Sequence, residues 1–223
     1  TNNPLKENNE IIQNEKIHFE KNIVEFKNID SIKDIANKSF ENYETVNSRE
    51  KLQKWIDIIE NIYCFALDLE TSSLDEFDAD LVGISLAIDA GVACYIPLGH
   101  KFEDIDETNK KNIHSQLSLN YVLEILKPVL ENSSILKIGQ NMKFDYKILK
   151  KYSISLNSYE DTMLMSYCLN SGLHRHNLDT LSEIFLNHNS IKIDSLLGSG
   201  KNKKNFSQTP IDLATSYAAE DAD

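Results

Sequence analysis

Two acids interrupt a predicted β-strand in residues 65–74, FALDLETSSL. Side chains at positions i and i+2 of a strand point to the same face, so Asp68 and Glu70 lie side by side. Two like charges roughly 4 Å apart repel by several kcal/mol at an effective dielectric constant of about 20. One carboxylate is therefore pushed toward protonation unless a cation lies between the two. The stretch predicts a strand that holds a positive group between its acids.

The composition limits the classes of function open to this chain. With 223 residues, 41% of them apolar and 26% charged, it is typical of a soluble globular protein with one sizeable core. The longest apolar region, residues 81–100, is interrupted by Asp89 and Gly91 and lacks the ~20 apolar residues of a membrane span. The first residues contain no apolar signal segment. We therefore expect a cytoplasmic protein with no membrane partner.

Charge and cysteine usage narrow the classes further. The net charge of −12 argues against a protein that coats nucleic acid by bulk electrostatics, but not against an enzyme that contacts phosphates through metal ions. Three scattered cysteines form no CxxC pair and six histidines lack metal-site spacing, so a disulfide framework and a zinc site are both disfavoured. The chain shows no heptad pattern, and we expect a monomer.

Hydrophobic periodicity predicts strands and helices that alternate from residue 43 onward. Asn47 or Ser48 is expected to cap the first helix. Strands are predicted at residues 43–46, 64–71, 81–89, 91–100 and 133–140, and helices at 49–59, 119–130, 141–152, 162–170, 177–186 and 210–223. This order predicts an α/β fold with a layered architecture.

The remaining segments suggest how the chain is organised. Residues 1–42, rich in Asn, Glu, Lys and Ile, are predicted to be a solvated, partly helical leader or interdomain connector. Residues 103–112 are polar and are predicted to be a loop. The helical pattern at residues 210–223 ends without a C-cap, so we expect a fragment of a longer polypeptide.

Two further segments each place a carboxylate at one end of an i, i+4 pair. Asn141 and Asp145 share a predicted helical face in GQNMKFD, and Tyr217 and Asp221 do so in YAAEDAD. If these segments converge on the strand acids, four carboxylates share one site. Oxygen ligands without cysteine or histidine favour Mg²⁺ or Mn²⁺ over zinc. Two such ions roughly 3.5–4 Å apart would stabilise both the attacking and the leaving oxygen of an in-line phosphoryl displacement. The predicted reaction is therefore phosphodiester hydrolysis.

Each of these features also has a simpler interpretation. A single acid is commonly solvated or caps a helix, and Tyr217 alone would more commonly be a packing residue of an amphipathic helix. Only the combination of the three segments favours a catalytic site.

The motifs together resemble a known family. In order and at matching separations, residues 43–223 are similar to the 3′→5′ exonuclease domain of bacterial DNA polymerase I, a family A polymerase. The segments that carry the resemblance are ALDLETSSLD, LVGISLAIDAGVACYIPLGH, ILKIGQNMKFD, DTMLMSYCLN and SYAAEDAD. The resemblance implies a ribonuclease-H-like α/β fold, with a mixed central sheet flanked by helices, in the DEDD exonuclease superfamily.

The resemblance also implies roles for the acids and for one tyrosine. Asp68 and Glu70 would hold a first divalent ion, Mg²⁺ or Mn²⁺, together with Asp221. Asp68 would bridge to a second ion with Asp145, which acts largely through water. Tyr217 and Glu70 would orient the attacking water.

Substrate contacts are implied less specifically. Thr71 and Leu74 would contact and wedge the terminal nucleotide. Asn141 and Lys143 would approach the phosphates of a single strand, although Lys143 could equally be a solvated helix residue.

The function that the resemblance implies is proofreading. The domain would remove mispaired nucleotides from a single-stranded 3′ end of DNA, with polymerase and 5′-nuclease regions elsewhere in the parent chain. Two alternatives stay open at this point: a 3′→5′ exoribonuclease of the same superfamily, and a catalytically silent scaffold domain of the polymerase.

Overall fold

The computed structural model describes residues 43–101, 116–198, 200 and 204–223. The predicted leader at residues 1–42 and the predicted loop at 103–112 lie outside the described residues. The strands are β1 (Glu44–Thr45), β2 (Cys64–Thr71), β3 (Leu81–Asp89), β4 (Val92–Pro97), β5 (Leu136–Gly139) and β6 (Tyr159–Asp161). The helices are α1 (Arg49–Ile59), α2 (Leu119–Glu131), α3 (Met142–Lys151), α4 (Thr162–Asn170), α5 (Leu178–Leu181), α6 (Ile193–Leu197) and α7 (Ile211–Ala222), with a π-helix at Ser182–Leu186 and a 3₁₀-helix at Phe206–Gln208.

The six strands form one mixed sheet in the order β1-β4-β3-β2-β5-β6. Strands β2, β3 and β4 pair antiparallel, whereas β5 pairs parallel with both β2 and β6, and β1 pairs parallel with β4. The acid-bearing strand β2 therefore lies inside the sheet, between β3 and β5. The mixed sheet with flanking helices agrees with the predicted α/β class.

The two faces of β2 have different neighbours because its side chains alternate. Phe65, Leu67 and Leu69 are buried in the main core, which helices α1, α2 and α3 cover. Ala66 on the opposite face packs with residues of α7. Asp68 and Glu70 follow Ala66 at intervals of two residues, so both acids of β2 face the side of the sheet that α7 covers.

The capping and burial of α1 follow its sequence. The Ser48 hydroxyl accepts a hydrogen bond of 3.3 Å from the Lys51 N–H, so Ser48 is the cap of the two candidates. Leu52, Trp55 and Ile59 of its apolar stripe are buried. This stripe anchors the first helix on the core face of the sheet.

Four elements differ from the sequence prediction, and two of them, α6 and the 3₁₀-helix, lie in a stretch for which no helix was predicted. The predicted helix at residues 177–186 is a short α5 followed by a π-helix, whose end at Asn187 has left-handed backbone angles. Strand β6 was not predicted, since its three residues are too short to show an alternating pattern. Among the described residues, no helix is long and apolar enough to cross a membrane.

Candidate active site

Strand β2 presents the first pair of acids at a local irregularity of the sheet. The register with β3 shifts between Glu70 and Thr71, where a β-bulge ends the regular pairing. Glu70 pairs with Gly83, and a Cβ atom at Gly83 would overlap the ring of the buried Tyr95. The Tyr95 hydroxyl is in turn 2.8 Å from Nε2 of His100. Tyr95 packs with residues of α7, so these aromatic side chains lie on the same face of the sheet as the acids.

Helix α7 brings the second pair of functional side chains to the same place. Its buried Ala214, Ala218 and Ala219 are small, so the helix packs closely on the sheet. Tyr217 and Asp221 lie one turn apart and form a side-chain hydrogen bond, which the phenol donates to the carboxylate.

Three carboxylates meet where α7 crosses β2. One carboxylate oxygen each from Asp68, Glu70 and Asp221 lie within 4.8 Å of one another, and the three residues are half-buried. Asp145 of α3 is 3% exposed and lines the same groove. The structure thus brings together the four acids and the tyrosine that the sequence singled out.

Burial raises the pKa values of all four acids, and the charge of Asp68 adds to this rise in the other three. Burial raises the pKa of Asp68 to about 6, and hydrogen bonding to the Leu69 backbone opposes part of this rise. Burial, followed by the charge of Asp68, raises the pKa of Asp221 to about 8. Burial and the charge of Asp68 also hold the pKa of Glu70 and of Asp145 well above the usual range. Such a cluster either retains protons or binds cations.

The donor set fits a hard divalent cation. The cluster offers carboxylate oxygens alone, which suits Mg²⁺ or Mn²⁺. Tyr217 differs from the acids because burial, then the charges of Asp221 and Glu70, raise its pKa well above the usual value. Its hydroxyl therefore keeps its proton at neutral pH and acts as a hydrogen-bond donor.

A groove with a volume of about 800 Å³ runs past the acids. Thr71, Leu74 and Asn141, the three residues for which the resemblance implies substrate contacts, line it, and Leu74 is 92% exposed. Among the described residues, the groove lining does not include Lys143, which is exposed on α3.

One expectation about Asn141 is wrong in its detail. It does not lie within α3 but precedes it as the cap residue, with left-handed angles of φ 59° and ψ 42°. The residue still lines the groove, but through a turn and not through a helical face shared with Asp145.

Sequence reasoning missed several residues of this site. The groove lining also includes Leu197 and Phe206, and Phe206 packs against Tyr217 with ring centroids 6.0 Å apart. Asp161, which holds the turn before α3, was also missed. A signal was present for Asp161 alone, since an acid directly before a helical pattern is typical of an N-cap.

Known proteins resemble this chain in sequence. The family model described as 3′-5′ exonuclease matches residues 43–223. The DNA polymerase I of Rhizobium leguminosarum is 42% identical over 190 residues, which are 81% of this chain and 19% of that protein. The DNA polymerase I of Pseudomonas aeruginosa is 38% identical over 184 residues, with 81% of this chain and 19% of that protein covered. The chain thus spans about a fifth of the length of these relatives.

Solved structures share the fold at lower sequence identity. RNase D of Trypanosoma brucei in complex with RNA U12 has a TM-score of 0.63 at 14% identity, covering 87% of this chain and 62% of that chain. RNase D of Escherichia coli has a TM-score of 0.55 at 17% identity, covering 81% of this chain and 41% of that chain. These likenesses confirm the predicted ribonuclease-H-like fold.

The sequence comparisons identify the family. The family model covers all of the described residues, and both polymerases exceed 30% identity over four fifths of the chain. The chain therefore belongs to the 3′-5′ exonuclease family of DNA polymerase I, as its motifs predicted.

Proposed function

We propose that this domain removes nucleotides from single-stranded 3′ ends of DNA by metal-dependent hydrolysis, and that it proofreads for a longer polymerase chain. The observation that carries the proposal is the convergence of Asp68, Glu70 and Asp221 within 4.8 Å, with Asp145 in the same groove. Four carboxylates with raised pKa values are costly to hold together unless they bind cations.

The acids divide into two sets of ligands. Asp68, Glu70 and Asp221 would hold one Mg²⁺ or Mn²⁺, and Asp68 with Asp145 would hold a second. When bound, the two ions supply a nucleophile near neutral pH and neutralise the charge that develops on the phosphate. The carboxylates would fix the places of both ions relative to the groove.

Tyr217 would orient the attacking water. Its hydroxyl retains the proton at neutral pH, so it donates a hydrogen bond and does not act as a base. Packing against Phe206 and the hydrogen bond to Asp221 hold its ring in place. Glu70, also at the cluster, would accept a hydrogen bond from the same water.

The groove favours a frayed end over a duplex. Thr71 and Asn141 would offer polar contacts, and Leu74, which is exposed in the groove, would wedge against a terminal base. The net charge of −12 makes binding of a long duplex unfavourable. A mispaired end melts at lower cost than a paired one, which gives selectivity without reading the bases.

Membership of a longer chain would explain how a domain with a net charge of −12 can act on DNA. The relatives are about five times as long as the matched segment and are named DNA polymerase I. In such a chain, polymerase and 5′-nuclease regions would supply most of the DNA affinity. We propose that this domain acts there as a monomer.

Degradation of labelled DNA tests the proposal. A 5′-labelled single-stranded DNA, an RNA of the same sequence and a closed circular single-stranded DNA are each incubated with the chain and Mn²⁺. We expect a ladder that shortens from the 3′ end of the DNA, slower loss of the RNA and an intact circle, since a circle has no end. Faster loss of RNA would favour the exoribonuclease, and an inert chain that still binds Mn²⁺ would favour the silent scaffold.

A further inference from the structure

A buried acid outside the cluster joins two helices, α3 and α4, of which α3 contributes residues to the groove. Asp161 ends β6, is 6% exposed, and its carboxylate accepts four backbone N–H groups. Oδ1 accepts from Asn141 at 3.1 Å, from Met163 at 2.9 Å and from Leu164 at 3.3 Å, and Oδ2 accepts from Met142 at 3.0 Å. One side chain thus caps α4 and fixes the first residues before and within α3.

The turn that Asp161 holds has little freedom of its own. Gly139 pairs with Asp161 across β5 and β6, and a Cβ atom at Gly139 would be 2.8 Å from the Leu67 carbonyl oxygen. The Thr162 hydroxyl lies 3.1 Å from the Gly139 carbonyl oxygen and 2.6 Å from Oε1 of Gln140, and these two acceptors share its one hydrogen. The junction of β6 and α4 therefore clamps the turn from β5 to α3 at successive residues.

This clamp determines where two groove residues lie. Asn141 adopts left-handed angles that are uncommon for residues other than glycine, and its N–H is one of the groups bound by Asp161. Asp145 follows Asn141 by about one helical turn, so a shift of the α3 start moves its carboxylate too. The N–H of Met142, the first residue of α3, also donates to the Asp161 carboxylate.

We infer that Asp161 is a positioning residue of the exonuclease site, whose carboxylate sets Asn141 and Asp145 in the groove without contacting metal or DNA. The inference rests on the proposed function. Outer residues that orient metal ligands typically change metal affinity by 10- to 100-fold when they are replaced. Asp161 acts in this way through the backbone of α3.

The substitution Asp161→Asn separates the positioning of the α3 start from the capping of α4. Asparagine caps helices about as well as aspartate, so its oxygen can keep the N–H groups of Met163 and Leu164. Its amide NH₂ then faces the Met142 N–H, which loses its acceptor. The control is Ile59→Val, because Ile59 is a fully buried residue of α1 in the main core and makes no groove contact. That change should lower the unfolding temperature slightly without moving α3.

Two readouts on the folded chain test the inference. Free Mn²⁺ is followed by electron paramagnetic resonance, and amide hydrogen exchange is followed residue by residue. In Asp161→Asn we expect about tenfold weaker binding of one Mn²⁺, faster exchange at Met142, and retained protection at Met163 and Leu164. Ile59→Val should match the wild type in Mn²⁺ binding.

The outcomes separate the inference from the proposed function. Unchanged Mn²⁺ binding in Asp161→Asn, or unchanged exchange at Met142, would overturn the positioning role while the wild type still binds metal. Failure of the wild type itself to bind Mn²⁺ would overturn the proposed function and the inference with it.

Discussion

Replacing Asp68 by asparagine should stabilise the metal-free domain at pH 8. Burial and then the charge of Asp68 raise the pKa of Glu70, Asp145 and Asp221, so Asp68 is the repulsive partner common to the other three acids. Burial raises the pKa of Asp68 itself from 3.8 to about 6. A rise of about two in pKa means that the ionised carboxylate lowers the free energy of unfolding by about 3 kcal/mol. Because the acids titrate together, we expect Asp68→Asn to add about 1–3 kcal/mol at pH 8.

The sign of the pH dependence follows from the raised pKa values. Groups whose pKa is higher in the folded state contribute stability below about pH 4, and this stability is lost as the pH rises through about 6 for Asp68 and about 8 for Asp221. Without metal, the wild type should therefore be more stable at pH 5 than at pH 8. The advantage of Asp68→Asn should be largest at pH 8 and should disappear near pH 4.

Thermal unfolding in EDTA measures this effect. Each kcal/mol corresponds to about 2–4 °C for a domain of this size, so Asp68→Asn should unfold several degrees above the wild type at pH 8. Mn²⁺ should raise the unfolding temperature of the wild type and not that of the variant. The exposed Asp78 lies outside the groove, and Asp78→Asn should behave as the wild type in both buffers. A variant less stable than the wild type at pH 8 in EDTA would refute the reasoning.

Three further substitutions test other parts of the structure. Tyr217→Phe should slow DNA hydrolysis less than Asp221→Asn does, because loss of a hydroxyl misorients water whereas loss of a ligand removes an ion; equal losses in single-turnover rates would contradict this ranking. Lys137→Met should lower the free energy of unfolding in urea by about 2–4 kcal/mol, since the fully buried ammonium donates to three backbone carbonyls at 2.7–3.4 Å. A loss below about 0.5 kcal/mol would show that water replaces the ammonium as the donor to these carbonyls. Gly83→Ala should lower stability by about 1–3 kcal/mol because its Cβ overlaps the Tyr95 ring, and an unchanged unfolding midpoint would show that the ring moves freely.

Local sequence patterns predict much of the fold. The alternation in CFALDLET gives the bounds of β2 and the shared face of Asp68 and Glu70, and the i, i+4 spacing places Tyr217 beside Asp221 on α7. Periods of 2 and 3.6 residues are properties of single elements, so one sequence is enough to show them. That the acids of β2, α3 and α7 meet was implied by the family resemblance and not by any spacing within the chain.

Features that depend on distant contacts were not predictable in the same way. The clamp by Asp161 requires the pairing of β5 with β6, and β6 is itself too short to recognise. The groove wall at Phe206 depends on its packing against Tyr217, and nothing in the sequence near Phe206 indicates that contact. The left-handed Asn141 lies in a run that otherwise looks helical, since the carboxylate that holds it comes from twenty residues later.

Release of the 3′-terminal nucleotide tests the central claim most directly. A single-stranded DNA labelled at its last nucleotide is incubated with the wild type, Asp68→Asn or Asp78→Asn, each with Mn²⁺ and with EDTA. The structure predicts release by the wild type and by Asp78→Asn with Mn²⁺, and loss of release in EDTA and in Asp68→Asn. Equal release by Asp68→Asn and the wild type, or release that persists in EDTA, would contradict hydrolysis by metal ions held at this carboxylate cluster.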